Sequence, residues 1–154
     1  MISIETPVGL FVMELADDDT VVRTTFRLSQ MPEQAQDESD HRYARLVKAY
    51  FAGDMQALDA IPRRQSVTPF LTDVYRAMSK IPVGQTLSYA ALARAAGHER
   101  AVRAAGTACA RNNLPLLVPC HRVVRSDNSI GNYAFGAHIK QWLLDHEAGA
   151  RVAV

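Results

Sequence analysis

The apolar residues of this chain change period about a third of the way along, which calls for a fold in which strands come first and helices follow. Residues 2–5 (ISIE), Val8 to Leu15 after Pro7, and Thr20 to Leu28 after the acidic turn Asp17-Asp18-Asp19 read as three strands of a small antiparallel sheet. Residues 29–40 are polar and read as a loop. From His41 the apolar positions Tyr43, Leu46, Val47, Tyr50 and Phe51 recur at helical spacing until Gly53, so one helix is expected to cover a face of the sheet. Asp59 to Pro69 has no periodicity, two prolines and the Arg63-Arg64 pair, as expected of a connection. A chain of 154 residues has room for one medium core or two small units. Two subdomains are therefore expected, 1–65 and 66–154, with the boundary near Ser66.

Beyond that boundary Phe70, Val74, Met78 and Ile81 predict a helix ending before Pro82-Val83-Gly84. Ser88 is a good N-cap for a helix from Tyr89 to Ala96, Gly97 a good stop, and a second helix is expected from about Arg100 to Arg111. Two short helices joined by a tight glycine-containing turn suit a helix-turn-helix. At about 100° per residue, Arg100, Arg103, Ala104, Thr107 and Arg111 share one face, while Val102, Ala105 and Cys109 lie opposite. Cys109 accordingly reads as core packing, and Gly106 in the helix interior suggests a close neighbour. The arginine face is either a solvated helix surface or, given the short residues between the arginines, a surface for DNA.

Charge favours the second option without deciding it. The formal net charge is only +1, yet residues 1–74 hold seven Lys/Arg against twelve Asp/Glu and residues 75–154 hold ten against four, a balance of −5 in one half and +6 in the other. Such asymmetry points to a polyanion facing the second half. With 48% hydrophobic and 21% charged residues the composition excludes a disordered or collagen-like chain. The acidic opening and short apolar stretches support neither a signal peptide nor a membrane span, so a soluble, cytoplasmic protein with both cysteines reduced is expected.

The segment Leu114 to Val124, LPLLVPCHRVV, carries the chemistry. A cysteine beside so apolar a run is by default a buried packing residue. Against that, Pro119 forces Val118 to be extended and suits a first helical turn, which predicts Cys120 at a strand-to-helix corner where amide dipoles favour a thiolate. His121 and Arg122 add two thiolate-stabilising groups, with a water as the link between Cys120 and His121 because adjacent side chains diverge. The last helix is expected over Ala137 to Glu147, with Ile139, Trp142, Leu143 and His146 buried and Gly149 beyond its end. Glu147 then opposes the helix dipole, either as a solvated group or as an acceptor for a histidine.

The strings IPVGQTLSYAALA, RAVRAAGTACARNNLPLLVPCHRVV, GNYAFG and IKQWLLDHE together resemble the O6-alkylguanine-DNA alkyltransferases over nearly all of residues 68–149, with Pro119-Cys120-His121-Arg122-Val123 as the most specific part. The resemblance implies an α+β fold: a ribonuclease-H-like N-terminal subdomain with a small antiparallel sheet and a helix, beside a C-terminal, helical, winged-helix-like subdomain carrying the helix-turn-helix. It implies that Cys120 accepts an alkyl group, His121 draws off its proton through a water, Glu147 orients His121, Asn112 braces the preceding turn, and Tyr89 crowds the phosphate and protonates the departing guanine. Arg103 would fill the gap in a duplex whose minor groove receives Ala104 and Thr107, with Arg100 and Arg111 alongside. The flipped nucleotide would enter a pocket of Val123, Ile130, Gly131, Tyr133 and Ala134. The implied substrate is O6-alkylguanine in double-stranded DNA, with O4-alkylthymine a second candidate. Because a thioether is a poor leaving group, each molecule would act once.

No cofactor and no metal are expected, since the cysteines that hold zinc in some members are missing from the N-terminal part. The expected partner is DNA, with no membrane, and the protein is expected as a monomer able to assemble cooperatively along DNA. Two positions depart from the family pattern: Ala148 intervenes before Gly149, and Asn113 stands where proline is common. Two other readings compete: a non-catalytic damage sensor or helix-turn-helix regulator, the sensors of this kind lacking the cysteine that this chain has, and a Cys-His hydrolase, which would turn over and need an oxyanion hole.

Overall fold

Three short strands hydrogen-bonded in sequence order open the structure, a computed structural model that describes residues 1–27 and 40–152. They are β1 (Ile2–Thr6), β2 (Gly9–Leu15) and β3 (Val21–Arg27), all antiparallel, with Ile4 opposite Phe11 and Phe11 opposite Phe26. Leu10, Phe11, Val12 and Met13 are all buried, so both faces of the central strand are covered. The Phe11 and Phe26 rings meet at 5.0 Å between centroids. Leu28 and the loop expected over 29–40 lie outside the described residues, except Asp40, which is in a turn.

Helix α1 (Arg42–Phe51) begins where His41 Nδ1 accepts the Tyr43 N–H at 3.1 Å, and it buries Tyr43, Ala44, Val47 and Tyr50 on one stripe packed against β1. Tyr43 keeps its polar end satisfied by donating to the Asp19 carbonyl at 2.6 Å. The expected connection after Asp59 is tied to this unit: the Val21 N–H donates to Pro62 and the Arg64 N–H to Val21, forming a bridge beside β3. Arg63 turns back on the same segment, donating to the carbonyls of Leu58 and Ile61.

The chain divides into Met1–Gln65 and Ser66–Val154. The second unit holds four helices: α2 (Pro69–Ser79), α3 (Tyr89–Ala95), α4 (Val102–Ala110) and α5 (Ala137–Val152). Sequence accounts for their starts. Thr68 Oγ1 accepts the Leu71 N–H before a proline at the first turn of α2, and Ser88 Oγ accepts the Ala91 N–H at 3.0 Å at the head of α3; caps of this kind contribute about 1 kcal/mol each. Gly97, at φ +82°, ends α3 in a backbone conformation that side chains disfavour.

Leu92, Ala93, Ala105 and Ala108 are fully buried where α3 and α4 pack, and the small residues let Tyr75 of α2 donate to the Ala108 carbonyl at 2.9 Å. A parallel two-residue pair not foreseen in the sequence joins β4 (Leu87–Ser88) to β5 (Val123–Val124). It holds the segment after Cys120 directly against the start of α3. Among the described residues there are thus five α-helices and a small antiparallel sheet, and no helix is long and apolar enough to cross a membrane.

Four expectations need correction. Arg100 lies in a turn before α4 and Arg111 is its C-cap, so the expected helix is shorter at both ends and only Arg103 of the three arginines stands on it. Val102 is 38% exposed rather than core, because α4 starts there and its first turn overhangs the packed face. The last helix runs past Glu147 and through Gly149, so Glu147 is an interior residue and the argument from the helix dipole does not apply. Its fully covered stripe is Ile139, Lys140, Leu143 and Glu147, while Trp142 and His146 are half-buried and stack on each other at 4.9 Å.

Candidate active site

Pro119, Cys120 and the residues after them form a tight bend between two constraints. Upstream, Asn112 acts as a template: its Oδ1 accepts the Leu114 N–H at 3.0 Å and its Nδ2 donates to the Val118 carbonyl at 2.8 Å, closing the loop in which Leu116 takes the left-handed conformation (φ 73°). Downstream, β5 is paired to β4. Between them Cys120–Arg122 is a single 3-10 turn rather than the start of an α-helix. The expected stack of helix amides at the thiol is therefore replaced by one short turn, and burial pushes the Cys120 thiol up; the Asn112 amide and the more distant Lys140 charge only partly oppose that.

Cys120 is 6% exposed and lines a cavity of about 630 Å³. Its wall brings together residues from three stretches of sequence: Tyr89 from α3, Arg103, Gly106, Thr107 and Cys109 from α4, and Tyr133 with Ala134 from the loop before α5. Asn112 and Arg125 also line it. The structure thus unites Cys120, Asn112, Tyr89, Arg103, Thr107, Tyr133 and Ala134 of the expected site. It does not include Val123, Ile130 or Gly131 in the wall. Val123 is fully buried, its backbone spent on the β4 pairing and its carbonyl on a lysine. Gly131 touches the wall from behind, where an added Cβ would sit 3.0 Å from Tyr89 Oη.

Cys109 also corrects the sequence reading. It lies in the cavity wall and is half-buried, because α4 presents Gly106, Cys109 and Ala110 to the cavity between its core stripe and its exposed face. Gly106 does have a close neighbour, the Tyr89 ring, but at 3.8 Å from an added Cβ the contact is an ordinary one. Arg100, Arg103, Ala104, Thr107 and Arg111 are all exposed, and the Thr107 hydroxyl is turned back on the Arg103 carbonyl at 3.2 Å.

Behind the thiol is a buried charge assembly. His121 Nε2 meets Glu147 Oε2 at 2.8 Å, and Arg122 straddles the same carboxylate with Nε on Oε1 at 2.8 Å and Nη2 on Oε2 at 3.1 Å. Arg122 Nη1 also donates to the Ile81 carbonyl at 2.8 Å, which fastens the end of α2 to the group. Burial alone would raise the Glu147 carboxyl, but the bonds from His121 and Arg122 hold it well below the usual carboxylate range. Since an ionised carboxylate only accepts, His121 must carry its proton on Nε2. Its Nδ1 is then a bare lone pair, buried and without a hydrogen-bond partner among the described residues. Burial also lowers the His121 pKa, with Glu147 acting in the other direction, so the ring is neutral at neutral pH. His121 and Arg122 thus both bond Glu147, so the carboxylate expected as an acceptor for a histidine holds that histidine and the arginine together.

Sequence reasoning missed Lys140. It is fully buried with no carboxylate paired to it among the described residues, donating to the Val123 carbonyl at 2.6 Å and the Asn132 carbonyl at 3.2 Å, and burial lowers its pKa. It clamps β5 to the loop that forms the far wall. The signal was present in its spacing, since Lys140, Leu143 and Glu147 fall on one helical stripe.

The chain is similar to known proteins in sequence and in fold. A family model described as "6-O-methylguanine DNA methyltransferase, DNA binding domain" matches residues 69–149. A methylated-DNA–protein-cysteine methyltransferase of Shigella flexneri is 39% identical over 101 residues, 66% of this chain and 59% of its own. The bifunctional transcriptional activator/DNA repair enzyme Ada of Escherichia coli is 36% identical over 147 residues, 94% of this chain and 41% of its own. Among solved structures, Mycobacterium tuberculosis OGT in complex with DNA matches with a TM-score of 0.80 at 25% identity, covering 96% of this chain and 92% of that one. The match to the Shigella protein spans about three fifths of that relative's length.

Proposed function

Because the chain belongs to the 6-O-methylguanine DNA methyltransferase family through its DNA-binding domain, we propose that it takes the alkyl group from O6 of alkylated guanine in duplex DNA onto Cys120. The observation that carries this is a buried cysteine in the wall of a cavity of about 630 Å³, followed in the chain by His121, whose Nε2 is held by Glu147 and whose Nδ1 has no hydrogen-bond partner among the described residues.

In this reading the second unit, 66–154, is the DNA-binding and alkyl-transfer subdomain, and the α3–α4 pair with the β4–β5 ribbon is its winged-helix-like part. The first unit, 1–65, is the ribonuclease-H-like part, supported by the three-stranded sheet with one helix packed on it. The exposed face of α4, with Arg103, Ala104 and Thr107 and the flanking Arg100 and Arg111, lies in the minor groove. Arg103 takes the place of the extruded nucleotide, whose base enters the cavity between Tyr133 and Ala134 on one side and α4 on the other.

The Cys120 proton passes through one water to His121 Nδ1, and Glu147 stabilises the resulting imidazolium. Sulfur attacks the alkyl carbon as the carbon–O6 bond breaks, the electron pair of that bond stays on the guanine, and the Tyr89 hydroxyl supplies a proton to it. Asn112 holds the loop so that the sulfur lies in line. The product is a thioether on Cys120, and nothing at the site offers a route to cleave it, so one molecule repairs one lesion.

Incubation with a duplex containing one O6-methylguanine should raise the intact protein mass by one methylene equivalent, located on Cys120 by peptide mapping, with a ceiling of one per molecule. Repeated turnover, or transfer to a Cys120→Ser protein, overturns the proposal.

A further inference from the structure

The reaction above leaves one cation of the cavity unused. Arg125 follows β5, is exposed, and lines the cavity together with Arg103, whereas Cys120 lies buried in the same cavity. Arg125 therefore stands at the rim and the sulfur at the floor. The two arginines reach that rim from different elements, one from α4 and one from the turn after β5.

The backbone around Arg125 is well tied. Its N–H donates to the Ser129 carbonyl at 3.0 Å, its carbonyl accepts the Asn128 N–H at 2.9 Å, and Asn128 takes the left-handed conformation (φ 65°) that closes the turn. The side-chain stem is seated as well: an added Cβ on Gly131 would lie 3.6 Å from Arg125 Cγ, on the same glycine that Tyr89 Oη approaches. The neighbouring acid, Asp127, spends its Oδ1 on the Ser129 N–H at 2.9 Å and the Ser129 hydroxyl at 2.6 Å; these bonds first, and the Arg125 charge only after them, lower its pKa. Among the described residues the Arg125 guanidinium enters no salt bridge.

A planar cation on a seated stem, in no salt bridge among the described residues, is suited to two-pronged capture of a phosphate. A nucleotide that enters base first, towards Cys120, leaves its phosphates at the rim. We propose that Arg125 binds the DNA phosphate next to the extruded nucleotide and, opposite Arg103, holds that nucleotide out of the duplex. The assignment rests on the reading that duplex DNA docks at this cavity. It makes Arg125 a DNA-binding residue acting on capture rather than on the transfer step.

The test uses the 154-residue protein carrying Cys120→Ser, which removes the accepting thiol, and a fluorescent duplex with one O6-methylguanine titrated at several salt concentrations. Adding Arg125→Ala should weaken binding roughly tenfold at low salt and flatten the plot of log affinity against log salt by about 0.9, the value for one lost phosphate contact. Arg125→Lys should restore the slope, because the charge remains. In protein with Cys120 intact, Arg125→Ala should raise the half-saturating duplex concentration more than it lowers the rate at saturation. Unchanged affinity and slope in the alanine variant, or a lysine variant as flat as alanine, overturns the assignment. Transfer by the unaltered protein, measured alongside, judges the reaction separately: a missing mass gain defeats alkyl transfer, while the salt slope still decides Arg125.

Discussion

Two thiols share one cavity, and burial keeps both protonated. Cys109 is pushed up to about 12, by burial first and the neighbouring Cys120 second, and Cys120 is raised by burial as well. A cysteine reacts as its thiolate, so general thiol chemistry at this site should be slow near neutrality. Intact-mass measurement of iodoacetamide labelling should show both cysteines of the folded protein reacting far more slowly than in urea at pH 7, with the rate rising about tenfold per pH unit. Fast labelling of Cys120 at pH 7 in folded protein would contradict a protonated, shielded thiol. The sequence alone suggested the opposite state, a dipole-stabilised thiolate, because Pro119 suits the first turn of a helix; only three residues of 3-10 turn follow it. In the proposed transfer, proton removal from Cys120 depends on His121 Nδ1, and the ring is held by a residue 26 positions away that adjacency in sequence could not reveal.

At the scale of elements, two glycines meet Tyr89 of α3 at different closeness. Gly131 has φ +76° and an added Cβ would sit 3.0 Å from Tyr89 Oη, whereas Gly106 lies inside α4, where an added Cβ would make an ordinary contact with the Tyr89 ring at 3.8 Å. Gly131→Ala should therefore cost about 1–3 kcal/mol in urea unfolding and slow transfer by displacing the Tyr89 hydroxyl. Gly106→Ala should stabilise by about 0.5–1 kcal/mol, as the removal of glycine from a helix does. Equal effects of the two substitutions would show that backbone conformation and the Tyr89 contact do not separate these positions. The helices α1 to α3 were legible because caps, stops and apolar period agree there. The β4–β5 pair was not, since two residues per strand are too few for alternation to register and the pairing spans residues 87 to 124. Lys140 was passed over for a related reason: a cation on an apolar stripe reads as solvated until carbonyls are found around it.

At the scale of the whole molecule, the buried assembly of His121, Arg122 and Glu147 makes stability depend on acid. His121 titrates lower in the folded chain than its ordinary 6.5, so as pH falls below that value the unfolded chain takes up a proton that the folded one refuses, and stability drops. Glu147 adds a second loss further down, because its depressed carboxyl must be protonated against Arg122 as pH falls below its ordinary 4.5. Urea midpoints should therefore be highest near neutrality, begin to fall as pH drops below 6.5, and fall more steeply below 4.5; a midpoint independent of pH from 7 to 4 would refute a neutral His121 paired with an ionised Glu147. The charge contrast between the two halves and the helical second half were readable from the sequence, whereas this assembly was not, since its members lie on α5 and on a bend 25 residues earlier. The shielded sulfur has one more consequence on the proposed chemistry. A reagent that is consumed by its first event is limited by how many copies survive unspent, so a nucleophile that ignores stray electrophiles until a nucleotide fills the cavity extends the waiting life of each copy.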